Sequence, residues 1–189
     1  MRKHRVGPRF TRQAALFYGV LIFAALLWNS LRGRELLLLG DSVLASLILG
    51  ILTAAGTVSL GLLIYRTLPL MQRLADELAP TLVDSAARTD LVLISLLSGV
   101  GEEVFFRGAV QPQFGLITAS AVFGLVHIGP DRRYLVWTVW AIFAGFLFGF
   151  LYEITGGVLA PAIAHSLHNA ATFLLWKRSR SSVLETKLP

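Results

Sequence analysis

The sequence predicts an all-α, polytopic integral membrane protein, with about six transmembrane helices around a polar intramembrane cavity in a single membrane domain spanning 1–189. Three observations predict it. First, 55% of the residues are hydrophobic and 15% are charged, whereas a typical soluble domain is about 25% charged, so polar surface is too scarce to cover this chain in water. Second, Asp, Glu, Lys and Arg are absent from six runs, 13–31, 42–65, 91–101, 108–130, 134–152 and 154–176. A helix needs about 20 apolar residues to cross a bilayer; five of these runs suffice and the third falls short. Third, the basic residues alternate between gaps. Arg2, Lys3, Arg5, Arg9 and Arg12 precede the first run, Arg66, Arg73 and Arg88 follow the second, Arg132 and Arg133 follow the fourth, and Lys177, Arg178, Arg180 and Lys187 follow the sixth. Only Arg32, Arg34 and Arg107 fall in the remaining gaps. Basic residues favour the cytoplasmic side, so fourteen against three places both termini there.

The same distribution excludes other classes. A formal charge of +6 invites a nucleic-acid reading, but the basic residues lie between apolar runs and at the termini, where they set topology. With no cysteine, disulfide scaffolds and thiolate chemistry are excluded.

The elements follow in order. Residues 1–12 form a basic cytoplasmic N-terminus, and the first span covers about 13–31. A secretory signal is the competing reading, but the run exceeds the usual 7–15 residue core and no small-x-small cleavage site precedes Trp28 and Asn29. The second span covers about 42–65. In the 66–90 connector, Leu70, Leu74 and Leu78 recur at helical spacing opposite Arg73, Asp76 and Glu77, bracketed by Pro69 and Pro80. That pattern fits a helix lying on the membrane surface, with a solvated connector as the alternative. Asp90 is the expected N-cap of the third span, 91–110. Spans over about 114–130, 134–153 and 157–176 follow, then a basic tail over 177–189. Ala141, Gly145 and Gly149 lie at small-xxx-small spacing and would admit a neighbouring helix closely, from this chain or from a second copy.

The third span reaches full length only by including Glu102, Glu103 and Arg107. At 1.5 Å per residue from Leu91, Glu102 lies about 16 Å deep, near the midplane. A charge there costs about 2.5–3.5 kcal/mol and is a functional candidate by default. Glu103 and Arg107, four residues apart, share a face and can pair. Glu102, rotated by about 100°, points elsewhere. An ion cluster that merely locks helices is the rival explanation. Against it stand His127 late in the fourth run and the sixth run's His165 and Asn169, four residues apart on one face. His168 lies on a neighbouring face, as a packing or supporting residue. At about 12 and 18 Å from Gly157, His165 and Asn169 reach a depth compatible with Glu102. A carboxylate and an imidazole sharing a water can make it nucleophilic, and a His with an Asn can donate to an oxyanion. Ser166 is on the wrong face for a serine nucleophile, so attack by water is preferred.

These residues resemble the CPBP family, which includes the type II CAAX prenyl endopeptidases and the bacteriocin-processing, self-immunity and abortive-infection proteins. Glu102-Glu103-Val-Phe-Phe-Arg107 matches its EExxxR motif, Phe123-Gly-Leu-Val-His127 its FxxxH and His165-Ser-Leu-His-Asn169 its HxxxN, in family order over a core of about 91–175. The resemblance implies a metal-independent glutamic intramembrane protease without cofactor. Glu102 and His127 would activate water, His165 and Asn169 would stabilise the oxyanion, and Glu103 and Arg107 would support them. Two His and a Glu could instead hold zinc, but no HExxH is present. The implied substrate is a membrane-associated or lipidated protein or peptide, and the implied location is the cell membrane of a bacterium. A noncatalytic immunity or scaffold protein that binds a partner segment through the same cluster is the alternative. A transporter is a third reading, disfavoured because no repeated halves are visible.

Overall fold

The computed structural model describes residues 8–84 and 86–185. Arg2, Lys3, Arg5 and Lys187 lie outside them, so the topology argument rests structurally on the other basic residues. Among the described residues the chain forms seven α-helices and no strand: α1 (Pro8–Leu31), α2 (Val43–Thr67), α3 (Pro69–Leu82), α4 (Arg88–Phe105), α5 (Gln111–Leu125), α6 (Leu135–Thr155) and α7 (Leu159–Glu185). A π-helical turn, Phe106–Val110, joins α4 to α5, and a 3-10 turn, Arg132–Tyr134, precedes α6. The chain is an all-α membrane protein. By length and composition, Arg9–Leu31, Val43–Thr67 and Arg132–Thr155 are suited to crossing a bilayer. Of the other long helices, α4 and the π turn carry the buried charges, and α7 ends in a polar, basic stretch.

Local chemistry explains three of the helix ends. The Ser42 side chain accepts from the Ala45 amide and caps α2, Pro69 opens α3, and Gly156, at φ 70°, closes α6 in the left-handed conformation with its amide bonded to the Tyr152 carbonyl. Two expectations need correction. Asp90 is not the N-cap of α4: the helix starts at Arg88 after Ala87, and Asp90, in its first turn, accepts instead from Thr11 Oγ1 of α1 at 3.0 Å. Pro80 does not end α3, which runs on to Leu82. Its neighbours' apolar contacts, with Ala79 and Val83 fully buried, hold the helix past the amide that proline lacks.

The reversal between the third and fourth runs also differs from expectation. Helical backbone continues through residues 111–113, and the break comes at Gly115, whose φ of 81° and ψ of 165° few residues other than glycine adopt. At the far end, α5 stops at Leu125, so His127 lies just beyond the helix.

α4 packs chiefly against α7 and α1, α2 against α7, and α5 against α6. The α4–α7 contact is close because Gly99 has no side chain: a Cβ there would sit 2.6 Å from the Ser166 amide nitrogen. Gly145 and Gly149 of α6 play this part toward α5, facing Phe123 and Leu116. That stripe therefore serves packing within the chain.

α3 is amphipathic as its spacing predicts. Leu74 is buried, while Arg73, Asp76 and Glu77 are exposed. Ion pairs tie its polar face to neighbours, Glu77 to Arg133 before α6, and Asp76 to Arg180 of α7. Arg180 also grips Asp84 through two hydrogen bonds of 3.1 and 2.9 Å. In the loop before α6, hydrogen bonding from Arg133 holds the Asp131 carboxyl below its ordinary range. These links gather the basic gaps of the described chain at one end of the helices. Arg107 is not among the residues at the opposite end: it is fully buried within the protein.

The π turn needs outside support. Asn29 of α1, 4% exposed, donates to the Gly108 carbonyl at 2.9 Å and to its own helix at Ala25 at 3.1 Å. An apolar environment makes an unpaired carbonyl costly, so Asn29→Ala is expected to destabilise the protein by about 1–3 kcal/mol. Thermal unfolding in detergent measures this; an unchanged midpoint would mean that the π turn stands without α1.

Candidate active site

Two carboxylates adjacent in sequence have unlike surroundings because the helix turns about 100° between them. Glu103 is completely buried and fully engaged. Its Oε2 accepts from Arg107 Nε at 2.9 Å and its Oε1 from His165 Nδ1 at 2.8 Å. Arg107, also fully buried, extends the network through Nη1 to Gln111 Oε1 at 3.3 Å. Gln111 in turn donates to the Gly149 carbonyl at 3.0 Å and to Glu153 at 3.2 Å. The guanidinium carbon lies 5.3 Å from the centre of the Phe123 ring, a cation–π arrangement that partly compensates Arg107 Nη2, which has no hydrogen-bond partner among the described residues.

Glu102 faces a different set. Its Oε1 accepts from the Tyr18 hydroxyl of α1 at 3.1 Å. Its Oε2 accepts no hydrogen bond from the described residues and lies 3.7 Å from His127 Nε2. The tautomer of His127 follows from its other nitrogen: Nδ1 is 2.6 Å from the Phe123 carbonyl, which can only accept, so Nδ1 carries the proton. In the neutral ring, Nε2 then turns a lone pair toward Glu102. The Phe123 and His127 rings also lie against each other, with centroids 4.8 Å apart.

α7 supplies residues to both halves. His165 stacks on Phe148 at 5.2 Å while bonded to Glu103. One turn later, Asn169 Nδ2 donates to Ser98 Oγ at 3.0 Å, and Ser98 lies one turn before Glu102 on α4. The structure thus brings Glu102, Glu103, Arg107, His165 and Asn169 together from converging helical segments, with His127 joining them from just past the end of α5. His168 is separate: its Nδ1 bonds Thr57 Oγ1 at 3.1 Å and its ring lies on Trp140. Ser166 Oγ is buried without a hydrogen-bond partner among the described residues and faces Gly99. No group of three or more His, Asp or Glu side chains among the described residues is arranged to hold a metal ion.

Sequence reading missed four participants. Gln111 was detectable, since it continues the four-residue spacing of Glu103 and Arg107. Tyr18, Asn29 and Ser98 were not, because single hydroxyl or amide groups in apolar helices carry no spacing that marks them.

The π turn has a geometric consequence. The Phe106 amide is shared between the Glu102 and Glu103 carbonyls, and the Gln111 amide reaches back five residues to Phe106. This wider turn follows the glutamates directly and carries Arg107; π turns of this kind concentrate at functional sites.

Comparison with known proteins adds to this geometry. YpbD of Bacillus subtilis (strain 168), an uncharacterized protein, is 36% identical over 85 residues, which cover 42% of this chain and 42% of YpbD. The chain therefore matches less than half the length of that relative. No solved structure matches. Residues 85–171 match the model of the family described as type II CAAX prenyl endopeptidase Rce1-like. That segment holds Glu102, Glu103, Arg107, His127, His165 and Asn169 together, and over it the chain is similar to the Rce1-like type II CAAX prenyl endopeptidase family.

Proposed function

We propose that this protein is a glutamic intramembrane endopeptidase that hydrolyses a peptide bond of a membrane-associated protein or peptide without a metal. The observation carrying this reading is the contrast between the glutamates. Both Glu103 oxygens are bonded within the protein, whereas Glu102 Oε2 accepts from no described residue and lies 3.7 Å from His127 Nε2. That distance exceeds a direct hydrogen bond but allows a water to contact both groups.

In the proposed reaction, Glu102 and His127 take a proton from the water while its oxygen bonds to the scissile carbonyl carbon. The carbonyl electron pair moves onto oxygen. Asn169 has a second amide N–H besides the one given to Ser98, and it donates to that oxyanion. His165 joins it in the imidazolium form, with Nδ1–H on Glu103 and Nε2–H on the oxyanion. The stored proton then passes to the leaving nitrogen as the C–N bond breaks. Glu103 and Arg107 orient His165 and balance its charge. The basic gaps face the cytoplasm, with both termini on that side of the cell membrane, and His127 lies toward that end.

The test is reconstitution with a membrane-associated peptide that reports cleavage. Turnover is expected to survive chelators and to fall by about 10²-fold or more in His127→Ala and in Asn169→Ala. Full turnover in both variants would reject the assigned roles. Loss on chelation with recovery on added zinc would favour a metalloenzyme, and biological rescue by Glu102→Gln would favour a noncatalytic immunity or scaffold protein.

A further inference from the structure

Glu102 is held from outside the segment that carries the family match. The contact comes from α1, where the Tyr18 hydroxyl donates to Glu102 Oε1 at 3.1 Å across 84 residues of sequence. Its position is set by a close helix approach: a Cβ at Gly101 would lie 2.8 Å from Tyr18 Cβ, so absence of a side chain beside Glu102 lets the tyrosine backbone come near. Lower on the same pair of helices, Asn29 grips the Gly108 carbonyl of the π turn. Besides the Thr11–Asp90 contact, α1 therefore meets the Glu102–Arg107 motif at two polar points, one beside each end. Ser98, one turn before Glu102 on α4, donates to the Ser95 carbonyl at 3.2 Å and receives the Asn169 amide at 3.0 Å.

A carboxylate on a glutamate side chain has several rotamers, each rotatable bond costing entropy when fixed. Binding Oε1 leaves Oε2 directed at His127. The phenol can do this because it donates without carrying charge and is half-buried, with its ring edge packed on Phe17 at 5.1 Å between centroids. Phenylalanine would keep the ring and lose only the donor.

We propose that Tyr18 is a positioning residue that orients Glu102 for its work with His127, so that the catalytic unit comprises α1 together with residues 85–171. The kinetic half of this proposal rests on the peptidase reading above; the contact itself does not. Tyr18→Phe is expected to lower kcat about tenfold, the equivalent of one hydrogen bond, while KM stays within about twofold and the unfolding midpoint is unchanged. A structural role would instead move the midpoint or KM.

Infrared difference spectra supply a readout independent of turnover. The carboxylate band that disappears in Glu102→Gln is expected to shift in Tyr18→Phe and to stay in place in Phe17→Leu. A shifted band with reduced kcat supports the proposal. A shifted band in a protein that cleaves no peptide leaves the contact standing and counts against the peptidase reading. An unmoved band overturns the proposal, as does a moved band with wild-type kcat in an active enzyme.

Discussion

Glu102→Gln is expected to abolish turnover, with a loss of about 10²–10⁴-fold, while leaving the protein folded and its unfolding midpoint nearly unchanged. The amide is nearly isosteric, keeps an oxygen for Tyr18, and removes only the ability to take a proton. The neighbouring Glu103→Gln should behave differently. Glu103 accepts from both Arg107 and His165 with no exposure, so neutralising it leaves a buried guanidinium without its counter-charge and lowers stability first. Parallel measurement of peptide cleavage and thermal unfolding separates the two. Retained turnover in Glu102→Gln, or stability equal to wild type in Glu103→Gln, would reverse the division of labour proposed here.

The largest stability effect is expected for Arg107→Met. Breaking a buried pair by removing one partner typically costs about 3–5 kcal/mol, because the remaining charge is left without compensation. Here the loss would strand Glu103 and free Gln111 Oε1, with methionine filling the aliphatic space beside Phe123. The double variant Glu103→Gln/Arg107→Met should recover a large part of that loss, since both charges are then gone and the pair's desolvation cost with them. Denaturation in a fixed detergent tests this. A double variant as unstable as Arg107→Met alone would show that the arginine acts through packing rather than through its pairing with Glu103.

Much of this arrangement was legible from the amino acids. Helix length and type follow from apolar runs, and the Glu103–Arg107 pairing follows from four-residue spacing, because helix geometry relates such residues rigidly. The opposed directions of Glu102 and Glu103 follow from the same rule. Helix ends were less legible. Asp90 has the residue type of an N-cap, yet a tertiary partner, Thr11, takes its carboxylate while the helix starts two residues earlier. Pro80 is a usual stop, yet buried contacts at Ala79 and Val83 outweigh its missing amide.

By itself the sequence determined the class of protein, the helical segments and the six polar residues of the candidate site, since composition and short-range periodicity act within one segment. Only the tertiary structure decided which oxygen of which glutamate is left without a hydrogen-bond partner among the described residues. That choice depends on Tyr18, His127 and His165, which reach the glutamates across 84, 25 and 62 residues of chain. Separations of that size leave no periodic trace in a sequence; they are settled when helices pack closely enough for hydrogen bonds of about 3 Å to form between them.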